Sequence, residues 1–147
     1  MSDLKDLYRE VILDHNRSPR NFGRIENADR VVNGFNPLCG DKMTLYLKLA
    51  GDRIADARFE GTGCAISVAS SSLMTERIKG ATVDDTLRLS AAVRDMLTGV
   101  TDPDERMQKL AALDGVREFP SRVKCASLAW HALKSALTDG AASISTE

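Results

Sequence analysis

The apolar residues of this chain change their spacing twice, and this pattern constrains the fold more than any other feature. Over residues 3–15 they recur every three or four positions, which predicts an amphipathic helix that ends before the Ser18–Pro19 pair. Over residues 42–49 they alternate with polar residues, and this two-residue period predicts a half-buried strand. After Cys64 the helical spacing returns. The chain is therefore expected to combine an early sheet with later helices.

Turn and capping residues delimit the other predicted elements. A turn at residues 50–52 separates the first strand from a second over 54–59, so the two form a predicted β-hairpin. Thr82 resembles the N-cap of the helix that follows it. The expected class is α+β, a small antiparallel sheet with helices packed on one face. Another short strand near 29–33 and helices over 64–79, 83–98, 103–113 and 121–137 complete the prediction.

Length and composition indicate one folded unit. The chain has 147 residues, 43% of them hydrophobic and 28% charged, which is typical of a single globular domain. We expect residues 1–138 to form that domain. The segment 139–147 is small and polar, which predicts a flexible C-terminal tail.

Charge and hydropathy exclude several classes of protein. Twenty Lys and Arg residues are balanced by 21 Asp and Glu residues, so the basic excess of a nucleic-acid-binding domain is missing. Apolar runs stay well short of the ~18 residues that a membrane span needs, and the first ten residues lack the apolar region of a secretory signal. We therefore expect a cytoplasmic protein with no nucleic-acid or membrane partner, whose three cysteines stay reduced.

Each of the three cysteines lies at the end of a predicted element. Cys39 lies in the loop before the first hairpin strand, Cys64 at a strand-to-helix junction, and Cys125 near the start of the last helix. Helix N-termini favour anions, so such positions favour the thiolate, which is the form that binds metal or attacks sulfur. The placement therefore indicates metal or sulfur chemistry.

The residues alone leave simpler interpretations open. A reduced cysteine is often a small buried apolar residue, and Cys125 lies beside apolar neighbours. The cysteine spacings are not those of a zinc finger or ribbon. Three thiolates with the Asp41 carboxylate would supply four tetrahedral zinc ligands, yet the residues alone favour Asp41 as an ordinary loop aspartate that caps a turn.

The histidines and a run of serines carry little chemical signal. His15 closes the first predicted helix, and we interpret it as a solvated residue that suits the helix dipole. His131 is interpreted as a surface or packing residue. The sequence gives no evidence of a histidine base for the Ser70–Ser72 run, so a serine nucleophile is not expected.

Four segments, in order, resemble the iron–sulfur cluster assembly scaffolds related to IscU and to the N-terminal domain of NifU. They are LYREVILDH at 7–15, NPLCGD at 36–41, FEGTGCAIS at 59–67 and FPSRVKC at 119–125. The resemblance spans residues 4–137 and is closer to the SufU branch of the family.

Two departures from IscU are similar to SufU proteins. Lys124 stands where IscU-like scaffolds carry a histidine. The stretch between the last two cysteines is also longer, with the extra residues around 97–118.

The resemblance implies an IscU/SufU-like scaffold fold and a specific metal site. Cys39, Asp41, Cys64 and Cys125 match the four ligands of one zinc ion. Arg122 and Lys124 fall in the last matching segment, where they could steer an anionic persulfide or contact a partner protein.

The same resemblance implies an enzyme, a zinc-dependent sulfurtransferase of iron–sulfur cluster assembly. Its Cys39 would accept persulfide sulfur from a SufS-type cysteine desulfurase and pass it toward a SufBCD-type assembly complex. The alternative within the family is a scaffold that binds iron and assembles a transient [2Fe–2S] cluster on the same ligands. A third interpretation is that zinc only stabilises the fold.

Overall fold

A computed structural model of the protein describes residues 3–103, 105–138 and 143–145, with side chains from residue 6 onward. Helices and strands follow one another from an N-terminal helix, through three consecutive strands, to a largely helical C-terminal half. The elements are α1 (Asp3–Arg17), β1 (Arg30–Asn36), β2 (Asp41–Ala50), β3 (Arg53–Thr62), α2 (Ala65–Ile78), α3 (Val83–Leu97), a 3₁₀ helix (Glu105–Glu118), α4 (Pro120–Leu137) and β4 (Ser143–Ser145).

The four strands form one mixed sheet in the order β3-β2-β1-β4. The three long strands pair antiparallel with one another, whereas β4 pairs parallel with the end of β1. The α+β class is therefore confirmed. The sequence predicts an antiparallel sheet, whereas the sheet is mixed because β4 is parallel to β1. Residues 143–145 belong to the predicted tail, and they form a strand because Ile144 packs against the core beside the free edge of β1. Residues 139–142 and 146–147 lie outside the described residues.

Helices α2 and α4 cover the inner face of the sheet. Strand β2 alternates as its sequence predicts, because Met43, Leu45 and Leu47 are buried while Lys42 on the other face is exposed. Among the described residues, no helix is both long and apolar enough to cross a membrane. The largest fully buried side chains are Trp130, Phe59, Leu45, Leu47, Ile54, Leu73, Met74, Ile78, Met96, Leu97, Met107 and Leu110.

Local sequence signals place most of the helices correctly. The Thr82 side chain accepts a hydrogen bond of 3.1 Å from the Asp85 N–H, so the predicted N-cap of α3 is confirmed. The helix predicted over 103–113 is instead two stretches of 3₁₀ helix within Glu105–Glu118, separated by a kink at Gln108, whose φ of +50° is not helical. Gly115 does not end the second stretch. Its missing side chain makes room for the Tyr8 ring, whose Cγ would lie 2.6 Å from an added Cβ.

The serine run of α2 links helices to one another. Ser70 Oγ donates to the Ala126 carbonyl at 2.6 Å and accepts from the Trp130 indole N–H at 3.1 Å. Ser72 Oγ lies 2.7 Å from His15 Nδ1 and accepts from the Arg20 N–H at 2.8 Å. These buried hydroxyls therefore satisfy polar groups where α1 and α4 cross α2.

His15 is fully buried, so its interpretation as a solvated residue is wrong. The segment after α1 folds back and covers it, because Arg20 and Asn21 form hydrogen bonds with α2. The pKa of His15 is lowered to about 4, and burial is the largest cause. The positive charges of Arg20 and Lys109 also lower this pKa, and together they outweigh the opposite effect of Glu76 and Asp14. His131, in contrast, is exposed.

Candidate metal centre

Cys39 lies at the tip of the hairpin loop that joins β1 to β2. Asn36 ends β1 opposite Asp41, which begins β2, and four residues connect them. The Gly40 N–H donates to the Asn36 carbonyl at 2.8 Å, and Gly40 has a φ of +73° that closes this tight turn. Cys39 is exposed as the sequence predicts, so its thiol is available to a partner.

Asp41 is fully buried below this loop and is the first residue of β2, so it is not an ordinary loop aspartate that caps a turn. Its Oδ1 accepts a hydrogen bond of 2.9 Å from the Cys64 N–H. Its Oδ2 accepts one of 3.1 Å from the Asn36 side-chain amide. The carboxylate is therefore held in one orientation by donors from β1 and from the start of α2.

Cys125 approaches the same point from α4 and is also fully buried. Its Sγ lies 3.4 Å from Cys39 Sγ and 3.5 Å from Asn36 Nδ2. Burial is the largest cause that raises the pKa of the Cys125 thiol, followed by its contacts with Asp41 and Cys39.

Three of the four predicted ligands come together. One ligand atom each from Cys39, Asp41 and Cys125 lies within 4.8 Å of the other two. Two sulfurs and one carboxylate oxygen are a donor set that suits zinc. A bound cation would also compensate the negative charge of groups that are otherwise costly to bury. The residues present therefore fit a zinc ion.

Cys64 borders this cluster but lies outside that group of three. It is half-buried and caps the N-terminus of α2, where its Sγ accepts a 3.4 Å hydrogen bond from the Ser67 N–H. It also lies close enough to Cys125 to raise the pKa of that thiol. Its role as a ligand stays a prediction.

Arg122 and Lys124, both on α4, differ in their relation to the cysteines. The nearby Cys125 thiol, followed by the charges of Cys64 and Cys125, raises the pKa of Arg122. Lys124 is exposed, and within the described ranges no hydrogen bond or ion pair links its ammonium to the cluster. Arg122 is therefore close to the cysteines, whereas a site contact of Lys124 is not seen among the described residues, and the roles of both stay predictions.

Asn36 and Tyr8 also border the site, although the sequence offered no direct reason to select them as site residues. Asn36 contacts both Asp41 and Cys125. The one hint in the sequence was its place in the segment that also holds Cys39 and Asp41. Tyr8 of α1 lies near Cys64 and Arg122. Burial and the Cys64 charge raise the pKa of Tyr8, and the Arg122 charge lowers it. Its signal was weaker, because it occupies an ordinary apolar position of an amphipathic helix.

Comparisons with known proteins place these features in context. A family model described as the NifU-like N-terminal domain matches residues 7–144. The zinc-dependent sulfurtransferase SufU of Bacillus subtilis is 46% identical over 134 residues, which are 90% of each chain. The iron–sulfur cluster assembly scaffold protein IscU of Streptococcus pyogenes is 38% identical over 138 residues, 93% of this chain and 86% of that protein.

A solved structure gives the same result for the fold. The crystal structure of a candidate iron–sulfur cluster assembly scaffold protein for the SUF system, from Fervidobacterium islandicum, superposes with a TM-score of 0.85 at 40% identity. The match covers 90% of this chain and 98% of that one. The IscU/SufU-like fold implied by the resemblance is therefore confirmed.

Proposed function

The chain belongs to the family of NifU-like N-terminal domains, and from this premise we propose that it transfers persulfide sulfur in iron–sulfur cluster assembly. Cys39 would accept sulfur from a SufS-type cysteine desulfurase and pass it toward a SufBCD-type assembly complex. Cys39, Asp41, Cys64 and Cys125 would hold one zinc ion. The similarity to SufU of Bacillus subtilis supports this role over that of the more distant IscU relatives.

One observation carries the proposal: the cluster has one exposed sulfur and two buried donors. Cys39 lies at an exposed loop tip, whereas Asp41 and Cys125 are fully buried beneath it. A partner can therefore reach the Cys39 thiol without opening the core. A site that served only to stabilise the fold would have no need for such an accessible ligand.

When bound, zinc would hold Cys39 as the thiolate and protect it from stray oxidation. Asp41 and Cys125 would keep their places through the hydrogen bonds they already make. Arg122 lies beside the sulfurs, so its guanidinium would favour an anionic persulfide and a departing thiolate.

The transfer itself is a thiol–disulfide type of exchange. The Cys39 thiolate attacks the outer sulfur of the desulfurase persulfide, and a new S–S bond forms on Cys39. The S–S bond to the desulfurase cysteine breaks, and that cysteine leaves as the thiolate. The outer sulfur carries its proton through the exchange and releases it to solvent afterwards, which leaves an anionic persulfide on Cys39, so the exchange needs no external oxidant or reductant.

A direct test uses zinc-loaded protein, a SufS-type cysteine desulfurase and L-cysteine, followed by alkylation and mass spectrometry. We expect one additional sulfur on Cys39 and faster desulfurase turnover. The Cys39→Ser variant should keep its fold, because residue 39 is exposed, but should lose both effects. Sulfur found only on Cys64 or Cys125, or full stimulation by Cys39→Ser, would contradict the proposal.

The second candidate is a scaffold on which a [2Fe–2S] cluster is assembled, and the IscU relatives are the observation that favours it. Lys124 argues against it, since IscU-like scaffolds carry a histidine there. Anaerobic purification separates the two. A colourless protein with about one zinc per chain supports sulfur transfer, whereas a brown protein with stoichiometric iron and sulfide supports the scaffold.

A further inference from the structure

We propose that Asn36 is a positioning residue of the metal centre, whose side-chain amide holds Asp41 and Cys125 together and leaves Cys39 as the ligand that can depart. This inference rests on the proposed function, because it concerns the same ligand cluster. It assigns a role to a residue that is not itself a ligand.

The Asn36 amide joins two elements that are far apart in the chain. Its Nδ2 donates to Asp41 Oδ2 on β2 at 3.1 Å and contacts Cys125 Sγ on α4 at 3.5 Å. The two partners lie 5 and 89 residues away in sequence. An amide NH₂ has two hydrogens, so it can donate to a carboxylate and to a sulfur at the same time.

Burial makes this arrangement specific. Asn36 is fully buried, and its Oδ1 has no hydrogen-bond partner among the described residues. An unpaired buried carbonyl oxygen is unfavourable. An amide at this place therefore weakens the fold, unless the hydrogen bonds of its NH₂ group offset the cost. The contacts of Nδ2 with Asp41 and Cys125 are the hydrogen bonds that can offset it.

The hydrogen bonds divide the cluster into a fixed part and an exposed part. Asp41 is held at both oxygens, by Asn36 and by the Cys64 N–H, and Cys125 is held within α4. The Cys39 thiol is exposed and contacts the cluster through Cys125 Sγ. Partners that orient metal ligands commonly contribute a factor of about 10–100 to metal affinity. Asn36 is placed to do this for the fixed part.

The test compares Asn36→Leu with Asn33→Leu. Asn33 is a matched control, because it lies on the same strand, is exposed, and its side chain accepts from the Thr44 hydroxyl away from the cysteines. Zinc affinity is measured by competition with a chromophoric chelator. We expect Asn36→Leu to weaken zinc binding by about 10–100-fold and Asn33→Leu to leave it unchanged. Equal affinities in the two variants would overturn the proposal.

A double-mutant cycle shows through which ligands Asn36 acts. The loss caused by Asn36→Leu should persist in a Cys39→Ser background and should shrink in an Asp41→Ala background. The cobalt-substituted protein gives a spectroscopic check, since the ligand-field bands of Asn36→Leu should shift whereas those of Asn33→Leu should not. If Asn36→Leu lowered zinc affinity as much in the Asp41→Ala background as in the unaltered protein, positioning through Asp41 would be contradicted.

A measurement on the unaltered protein covers the case in which Asn36→Leu does not fold. Nitrogen-15 NMR follows the side-chain amide resonances during a zinc titration. The Asn36 NH₂ signals should move with one equivalent of zinc while those of Asn33 stay in place, and unmoved Asn36 signals would overturn the inference. A zinc-loaded protein that shows these effects but accepts no sulfur would instead refute only the proposed function.

Discussion

Gly63 lies directly against the Asp41 side chain, so that a Cβ on residue 63 would overlap Asp41 Oδ1 and lie 3.0 Å from its Cγ. Asp41 cannot move aside easily, because it is buried and both of its oxygens accept hydrogen bonds. Gly63 also has a φ of +156°, which L side chains rarely adopt. The glycine before Cys64 therefore lets the carboxylate reach its place in the cluster.

Gly63→Ala should weaken zinc binding by about tenfold or more, since it displaces a carboxylate that we assign as a ligand. Gly51→Ala is the matched control, because Gly51 has a φ of +60° but nothing within 4 Å of an added Cβ. Both variants should lose stability, on the order of 1–2 kcal/mol, from backbone strain. Chelator competition measures the affinities. Equal zinc affinity of the two variants would argue against Asp41 as a ligand.

Ser70→Ala should destabilise the fold by about 1–3 kcal/mol, because it leaves the buried Trp130 indole N–H without its acceptor. Ser71→Ala is the control. Among the described residues its buried hydroxyl donates to the Ser67 carbonyl one turn earlier, and that carbonyl lies within α2. Urea unfolding gives both free energies. A loss for Ser71→Ala as large as that for Ser70→Ala would show that the link to Trp130 contributes little.

His15 should make the fold sensitive to acid. Its pKa is about 4 in the folded protein and near 6.5 when exposed, so the unfolded chain binds the proton more readily. The resulting stability is fully present above pH 6.5 and is lost as the pH falls to 4, by about 3 kcal/mol in total.

The measurement is the free energy of unfolding at several pH values for zinc-free protein and for zinc-free His15→Gln. Zinc is left out because acid also releases metal from thiolates. The variant should be less stable at neutral pH but should lose less stability between pH 6.5 and 4. Parallel curves for the two proteins would mean that carboxylates, and not His15, cause the acid sensitivity.

Arg122→Gln should slow the reaction of the Cys39 thiol in zinc-free protein with iodoacetate, an anion, severalfold. The guanidinium beside the cysteines attracts anions, and this attraction is lost with the charge. Lys124→Gln removes the same charge two residues away and should change the rate little. Alkylation followed by mass spectrometry gives the rates. If the Lys124 variant slows as much as the Arg122 variant, the effect is one of net charge alone.

The sequence predicts those parts of the fold whose signals are local. Alternation predicts β2 and its hairpin with β3, and Thr82 predicts the start of α3, because caps and periods are set by neighbouring residues. The cysteines and Asp41 were predicted as a set only through the family resemblance. The structure brings three of them together and leaves Cys64 at the border.

The remaining features depend on contacts between distant segments. His15 is buried by the segment that follows α1, and its sequence position alone is that of any helix end. Gly115 is a residue type that commonly ends a helix, yet here it makes room for the Tyr8 ring of α1. Asn36 meets Cys125 across 89 residues, a separation over which local patterns carry no information.

The parallel pairing of β4 with β1 has a consequence for the handling of this protein at high concentration. A strand edge with unpaired N–H and C=O groups is a template on which another chain can add, and an exposed aromatic side chain beside it strengthens the attraction. Residues 143–145 occupy the edge at Asn33–Phe35, next to the exposed Phe35 ring, while bridges to Phe22 and Thr82 cover parts of β3 on the opposite side. The C-terminal strand therefore covers part of the β1 edge, and a truncation before residue 143 should expose it and favour aggregation, which light scattering at rising protein concentration would measure.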